Sequence, residues 1–333
     1  MKRRDVIASI GAAATWPAAA RAQQAAMPVI GWLNGGSAEG FAPALAAFRE
    51  GLSETGFVEG RNVAIEYRWA EGRFDRLPAM ATELAGRPVS VIVATAGGAG
   101  PAKAATATIP IVFSVNSDPV ASGLVASLSR PGGNLTGASL IGGSLGPKRL
   151  ELLRELVPDA ALIAVLLNPT LPSSLLNPTI SNAEIQSREL QAAAGSLGRT
   201  LHLLHASTDD ELDAAFAALV PLRAGALIVS SDVFFNSRRE RLVALAARQA
   251  IPAIYEWREF VAAGGLMSYG PRITEGYRQI GVYTGRILKG ARPADLPVLQ
   301  SAKVELAINL KTAKTLGLTL PLSLLGRADE VIE

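Results

Sequence analysis

The chain has 333 residues, enough for two domains, and its 49% hydrophobic and 18% charged content marks it as globular. It has no Cys, which excludes a disulfide framework, a thiolate metal site, a Cys nucleophile and a lipid-modified N-terminal Cys. The formal charge of +3 resides wholly in the first 22 residues, where Lys2, Arg3, Arg4 and Arg21 face only Asp5. The remainder is formally neutral, which removes the basic footprint that a nucleic-acid binder needs.

Those 22 residues have the order of an export signal: a charged start, the short Ala-rich stretch Val6 to Trp16, and the small-x-small site Ala20-Arg21-Ala22. The apolar stretch is too short to span a bilayer. The run Arg3-Arg4-Asp5-Val6-Ile7 favours the twin-arginine route over the general one. The expectation is a periplasmic protein cleaved near Ala22, without a lipid anchor.

Beyond the signal, short apolar runs alternate with helical patterns. The first half predicts strands near 28–34, 63–69, 89–95, 109–115 and 135–140, separated by helices at 41–56, 74–86, 100–107 and 119–129. The second half predicts strands near 161–168, 199–206, 226–231, 251–256 and 265–269, with helices at 179–197, 209–220, 236–249 and 257–263. A helix over 147–157 joins the halves. The tail predicts a helix over 274–289, a strand near 303–309 and a helix at 310–316.

The two halves share a rhythm. Ile109-Pro110 opens one fourth strand and Ile251-Pro252 opens the other. Pro is tolerated at the first strand position, where no ladder donor is required. Runs buried on both faces and joined by helices imply parallel sheets covered on both sides. The predicted fold is therefore α/β: two Rossmann-like lobes with parallel sheets joined by a multi-segment hinge. Lobe 1 takes residues 27–140 plus about 272–300, and lobe 2 takes 146–268 plus about 308–333. Such hinges absorb closure in a few residues.

Several runs resemble a known family. They are Ile30-Gly31-Trp32, Gly56-Phe57-Val58-Glu59-Gly60-Arg61-Asn62, Ser117-Asp118-Pro119-Val120, Pro131-Gly132-Gly133-Asn134-Leu135-Thr136-Gly137, Lys148-Arg149-Leu150-Glu151-Leu152-Leu153 and the closing Ala328-Asp329-Glu330-Val331-Ile332-Glu333. Together they resemble the substrate-binding proteins of ABC importers, of the tryptophan and aromatic amino-acid type. The resemblance covers essentially the whole chain. It implies a type I periplasmic binding protein that closes on a small ligand, with two partners: an inner-membrane permease and its cytoplasmic ATPase. The expected oligomeric state is a monomer. The residues give no reason to expect a cofactor or nucleic acid, and with no Cys and no His pair at helical spacing no metal site is expected. A secreted small-molecule sensor with the same fold is the neighbouring alternative.

Ligands of open α/β sheets bind beyond the carboxyl ends of the strands. In the first half these ends offer Asn34, Gly36, Ser37, Thr95, Ala96, Ser117 and Asp118. In the second they offer Asn168, Asp232, Tyr255 and Glu256. A ligand carboxylate would suit the N–H groups and hydroxyls near Gly36, Ser37, Thr95 and Ala96. A ligand ammonium would suit Asp118, Asp232 or Glu256. Trp32, Tyr255 or Trp257 could cover an apolar side chain. Asp118 precedes Pro119 and a predicted helix, so it also reads as an N-cap, whereas Asp232 precedes no predicted helix that it could cap.

Gly142-Gly143-Ser144-Leu145-Gly146 matches the nucleophile-elbow pattern of a serine hydrolase. That chemistry needs a His oriented by a carboxylate. The only His residues, His202 and His205, fall inside one predicted strand, so hydrolysis through Ser144 is the minor alternative. A DNA-binding regulator of the same fold would need a helix-turn-helix where the export signal lies.

Overall fold

The computed structural model describes residues 27–140, 145–170, 181–301 and 303–333. Residues 1–22, the expected export signal, and Ser144 lie outside the described residues.

The first half runs β1 (Val29–Asn34), α1 (Ala42–Glu54), β2 (Ala64–Trp69), α2 (Leu77–Ala85), β3 (Val91–Thr95), α3 (Ala99–Ala105), β4 (Ile111–Val115) and β5 (Leu135–Leu140). The second runs α4 (Gly146–Leu156), β6 (Leu162–Leu167), α5 (Asn182–Ser196), β7 (Thr200–His205), α6 (Asp209–Leu222), β8 (Ala226–Val229), α7 (Val233–Ser237), α8 (Arg239–Arg248), β9 (Ala253–Tyr255), α9 (Arg258–Ala262) and β10 (Met267–Pro271). The tail adds α10 (Ile273–Leu288), β11 (Leu299–Ser301), β12 (Val304–Asn309), α11 (Leu310–Thr315), α12 (Leu322–Leu325) and β13 (Glu330–Ile332).

These strands form two sheets with one plan. The first has the order β11-β5-β4-β3-β1-β2 and is parallel throughout. The second has the order β13-β12-β10-β9-β8-β6-β7, and only the β10–β12 pairing is antiparallel. In each, the opening strand lies between the second and third, which is the doubly wound switch point. Central strands β3 and β8 are buried along their whole length, as runs covered by helices on both faces must be.

The Ile-Pro pairs occupy equivalent places. Pro110 precedes β4 and Pro252 precedes β9, and each uses its carbonyl to accept a bond from the neighbouring strand. Ile92 N–H donates to Pro110 at 2.8 Å and Leu227 N–H donates to Pro252 at 2.9 Å. A residue with no donor is thus placed where only an acceptor is required.

Helix α10 carries an apolar stripe of Ile273, Tyr277, Ile280, Thr284 and Ile287, all buried, at helical spacing. It packs against α1 and reaches the first sheet, which also receives β11, while β12 and β13 extend the second. The chain therefore passes between the sheets three times. Two of these passages contain residues outside the described set, 141–144 and 302. The α1–α10 approach is close enough that a Cβ on Gly281 would stand 2.2 Å from the Phe48 carbonyl oxygen, and one on Gly51 would stand 1.9 Å from that of Arg278.

One predicted helix is absent. Residues 119–129 form turns instead. Leu124 and Val125 N–H both fold back to the Pro119 carbonyl, and Gly123 adopts a left-handed φ of 73°. A helix expected at 236–249 starts earlier and is divided into α7 and α8, because the Asp232 side chain caps a short first segment.

Inserting bulk between α1 and α10 forces backbone apart. Gly281→Val is expected to lower unfolding free energy by about 1–3 kcal/mol or more, read from urea titration followed by circular dichroism. An unchanged midpoint would show that the helices do not need this contact.

Candidate functional site

The carboxyl ends of both sheets face each other across a cavity of about 530 Å3. Lobe 1 lines it with Phe41, Phe74, Ala96, Asn116 and Ser117. Lobe 2 supplies Asn182, Ser231, Asp232 and Trp257, and α10 adds Tyr277. The aromatic groups are connected: the Phe41 ring lies 6.5 Å from Trp257 in an edge-on arrangement and 6.3 Å from Tyr277.

Asp232 is the acid at this cavity. Its Oδ1 accepts bonds from Asn168 Nδ2 at 3.0 Å, Phe234 N at 2.7 Å and Phe235 N at 3.2 Å. Asn168 is itself fixed, since its Oδ1 accepts from the Thr170 N–H and hydroxyl. These contacts orient the carboxylate and concentrate on one oxygen. Burial still dominates, and it pushes the Asp232 carboxyl up to about 6.

Glu256 lies behind, 3% exposed. It accepts a short bond from the Ser231 hydroxyl and one of 3.4 Å from Asn116 Nδ2. The guanidinium of Arg149, 1% exposed, is 3.8 Å away and also donates to the Tyr269 carbonyl at 2.8 Å. Burial raises Glu256 and lowers Arg149, while their mutual attraction opposes both shifts. Counted as ionised, Arg149, Glu256 and Asp232 carry one net negative charge, the complement of a single ligand cation.

The lobes also touch directly. Asn116 Nδ2 of lobe 1 donates to Ser231 Oγ at 3.2 Å. At the rim, Arg239 donates to the Gly40 carbonyl at 2.7 Å and Asn236 does so at 3.4 Å. Gln186 holds Ser231 in place by bonding both its N–H and its carbonyl.

Of the residues expected at the site, Ala96, Ser117 and Asp232 line the cavity. Asn34 and Thr95 do not; they are buried and bonded to each other at 2.8 Å, with the Gly36 N–H on Asn34 Oδ1. Gly36 is spent on packing, because a Cβ there would stand 2.4 Å from the Phe41 ring. The Ser37 hydroxyl accepts from Gly40 N–H in its own turn. Asp118 is exposed and caps its own turn through Val120 and Ala121 N–H, away from the cavity. Tyr255 is buried and stacks on Phe260 at 4.6 Å, and Trp32 is wholly buried in the lobe 1 core. Asn168 and Glu256 act through Asp232 and Ser231 rather than on the lining. One expectation is corrected: Asp232 does cap a helix, α7, while also facing the cavity. The lining residues Phe41, Phe74 and Asn182 lie on a loop or at helix starts and Tyr277 lies within α10, where strand-end reasoning does not look.

His202 and His205 both lie on β7, and no cluster of residues among those described could hold a metal ion. No helix among the described residues is long and apolar enough to cross a membrane.

Removing Arg149 would leave Glu256 buried beside Asp232 without its counter-charge. Arg149→Leu is expected to cost about 3–5 kcal/mol at pH 8. Glu256 already titrates above its unfolded value. The penalty of its charge is therefore absent below the unfolded value and grows as pH rises through the folded one. The deficit should shrink toward pH 5 in urea titrations. A deficit that is constant with pH would contradict this electrostatic origin.

The two-lobe architecture is that of the type I periplasmic binding proteins. The chain is 28% identical over 276 residues to the tyrosine-binding protein of Clostridioides difficile (strain R20291), covering 81% of this chain and 75% of that one. It is 26% identical to an ABC domain from Streptococcus pneumonia solved in complex with L-Trp, with a TM-score of 0.78. It is also 26% identical to a ligand-free, open substrate-binding protein with adhesive properties from Clostridium difficile, with a TM-score of 0.61. Both comparisons cover 92% of this chain and 99% of the other. At equal identity and coverage, the arrangement is nearer the ligand-bound structure than the open one, in keeping with the bonds between the lobes. The family model for ABC transporter substrate binding proteins matches residues 37–332, and the chain belongs to that family.

Proposed function

We propose that this protein captures an aromatic amino acid between its lobes and delivers it, from the periplasm, to the permease of an ABC importer. The observation that carries the ligand class is Asp232: a buried carboxylate, bonded through one oxygen, on a cavity walled by Phe41, Phe74, Trp257 and Tyr277. An ammonium would meet the carboxylate, and an aromatic ring would meet the rings. The tyrosine-binding and L-Trp-bound relatives support the same class. Neutral donors on Ser117 and Asn182 line the cavity and suit a carboxylate. Trp257 adds an indole N–H that is buried without a partner among the described residues.

Capture couples to closure because the lining comes from both lobes. A ligand favours the closed state only through contacts made there and not in the open one. Asn116, which bonds lobe 2 directly, favours closure independently of the ligand.

The test is calorimetry with L-tyrosine and L-tryptophan. Asp232→Asn keeps a side chain able to cap α7 but removes the charge. A charge-assisted bond is worth about 1.5–3 kcal/mol, so affinity is expected to fall roughly ten- to a hundredfold. Unchanged affinity would remove Asp232 from the site.

Protons and the ligand ammonium compete for the same carboxylate. The ligand-free carboxyl titrates near 6, so binding should be full above that value and weaken as pH falls through it. The ammonium stays charged over this range. The Asp232→Asn variant should lose this dependence. A wild-type affinity that is flat between pH 5 and 7 would contradict the assignment.

A further inference from the structure

The cavity is longer than an aromatic amino acid needs. Beyond the strand ends it continues as a slot between α2 and α3. Leu77, Pro78 and Thr82 line one side, and Ala99, Pro101 and Ala104 line the other. At about 1.5 Å per residue, the lining runs about 7.5 Å along each of α2 and α3. The far end is open, since Thr82 and Ala104 are both exposed. Volume points the same way. The fifteen non-hydrogen atoms of tryptophan, even at the loose share of about 30 Å3 that each water takes in the liquid, fill about 450 Å3. The cavity offers about 530 Å3.

Charge is the second observation. Asp232 is the single charged side chain among the described residues that line the cavity. The segments 141–144 and 171–180 contain no Lys, Arg or His. The slot walls carry no charge, and the Thr82 hydroxyl donates to the Pro78 carbonyl at 3.0 Å, so nothing there rewards an anion. One polar group stands out on the neighbouring turn, which Lys103 of α3 holds by bonding the Leu124 carbonyl at 3.2 Å. Ser122 on that turn lines the cavity, is 7% exposed, and has a buried hydroxyl without a partner among the described residues.

Resting on the reading above, we infer that the site is built for an aromatic amino acid extended through a neutral linkage, such as an amide, to an apolar group. The ammonium meets Asp232 and the aromatic ring lies among Phe41, Trp257 and Tyr277. The neutral linkage takes the Ser122 hydroxyl, and the apolar extension follows the α2–α3 slot toward its open end.

The probes are L-tyrosine and L-tyrosine hexylamide, compared by calorimetry on the wild-type protein and on Ala104→Trp, a substitution at an exposed position that narrows the slot. The hexylamide is expected to bind at least tenfold tighter than L-tyrosine. Ala104→Trp should cancel that advantage while leaving L-tyrosine within about twofold of wild type. A hexylamide that binds no tighter than L-tyrosine overturns the inference and leaves the amino-acid reading standing. So does an Ala104→Trp variant that weakens both probes equally or neither. Binding of neither probe to the wild-type protein overturns both readings.

Discussion

A carboxylate removed from water must be compensated, and Asp232 is only half compensated. Burial raises its proton affinity, while Asn168 and the backbone N–H groups at the start of α7 restrain the rise. Much of the surrounding architecture follows from that one group. The α7 segment exists as a separate short helix because Asp232 caps it. Asn168 at the end of β6 is committed to the same carboxylate, and Arg149, Glu256 and Ser231 form a second, nearly neutral layer behind it. The result is a polar floor with one excess negative charge beneath an aromatic ceiling. Under the proposed function a single ligand cation completes it.

The scaffold explains why the chemistry differs between lobes that share a plan. Both sheets place the fourth strand after an Ile-Pro pair, and both Pro carbonyls accept the same bond from the third strand. Beyond β4 the chain presents Asn116 and Ser117, and beyond β9 it presents Glu256 and Trp257. A repeated backbone thus carries neutral donors on the lobe 1 wall and the acid on the lobe 2 wall, with aromatic rings on both, Phe41 and Phe74 from one and Trp257 from the other. An asymmetric ligand with a charged head and an apolar body matches that division. The bonds from Asn236 and Arg239 to Gly40 lie at the rim, so they reinforce closure without dictating what is enclosed.

The sheet plan was legible because buried parallel strands read as continuous apolar runs, and because the Ile-Pro pairs mark equivalent positions. Within the site, legibility was uneven for a physical reason. Polar residues at strand ends serve two ends at once: holding loops and meeting ligand. Asn34, Thr95, Ser37 and Asp118 all sit at the right ends of the right strands, yet Asn34 and Thr95 bond each other across the sheet, and Ser37 and Asp118 bond within their own turns. Pattern alone does not distinguish a satisfied side chain from an available one. The missed helix at 119–129 has a similar origin, because the apolar spacing was present but Gly123 and the Pro119 carbonyl closed a tighter turn. Phe41, Phe74 and Tyr277 reach the cavity from a loop, a 3-10 turn and a helix of the tail, and only the three-dimensional path of the chain brings them together.

The central claim is that an ammonium-headed ligand holds the two lobes together through Asp232. Small-angle X-ray scattering tests it directly on the protein with and without L-tyrosine at saturating concentration. The account predicts a smaller radius of gyration with ligand for the wild-type protein. A tightly bound ligand that leaves the scattering curve unchanged would contradict it.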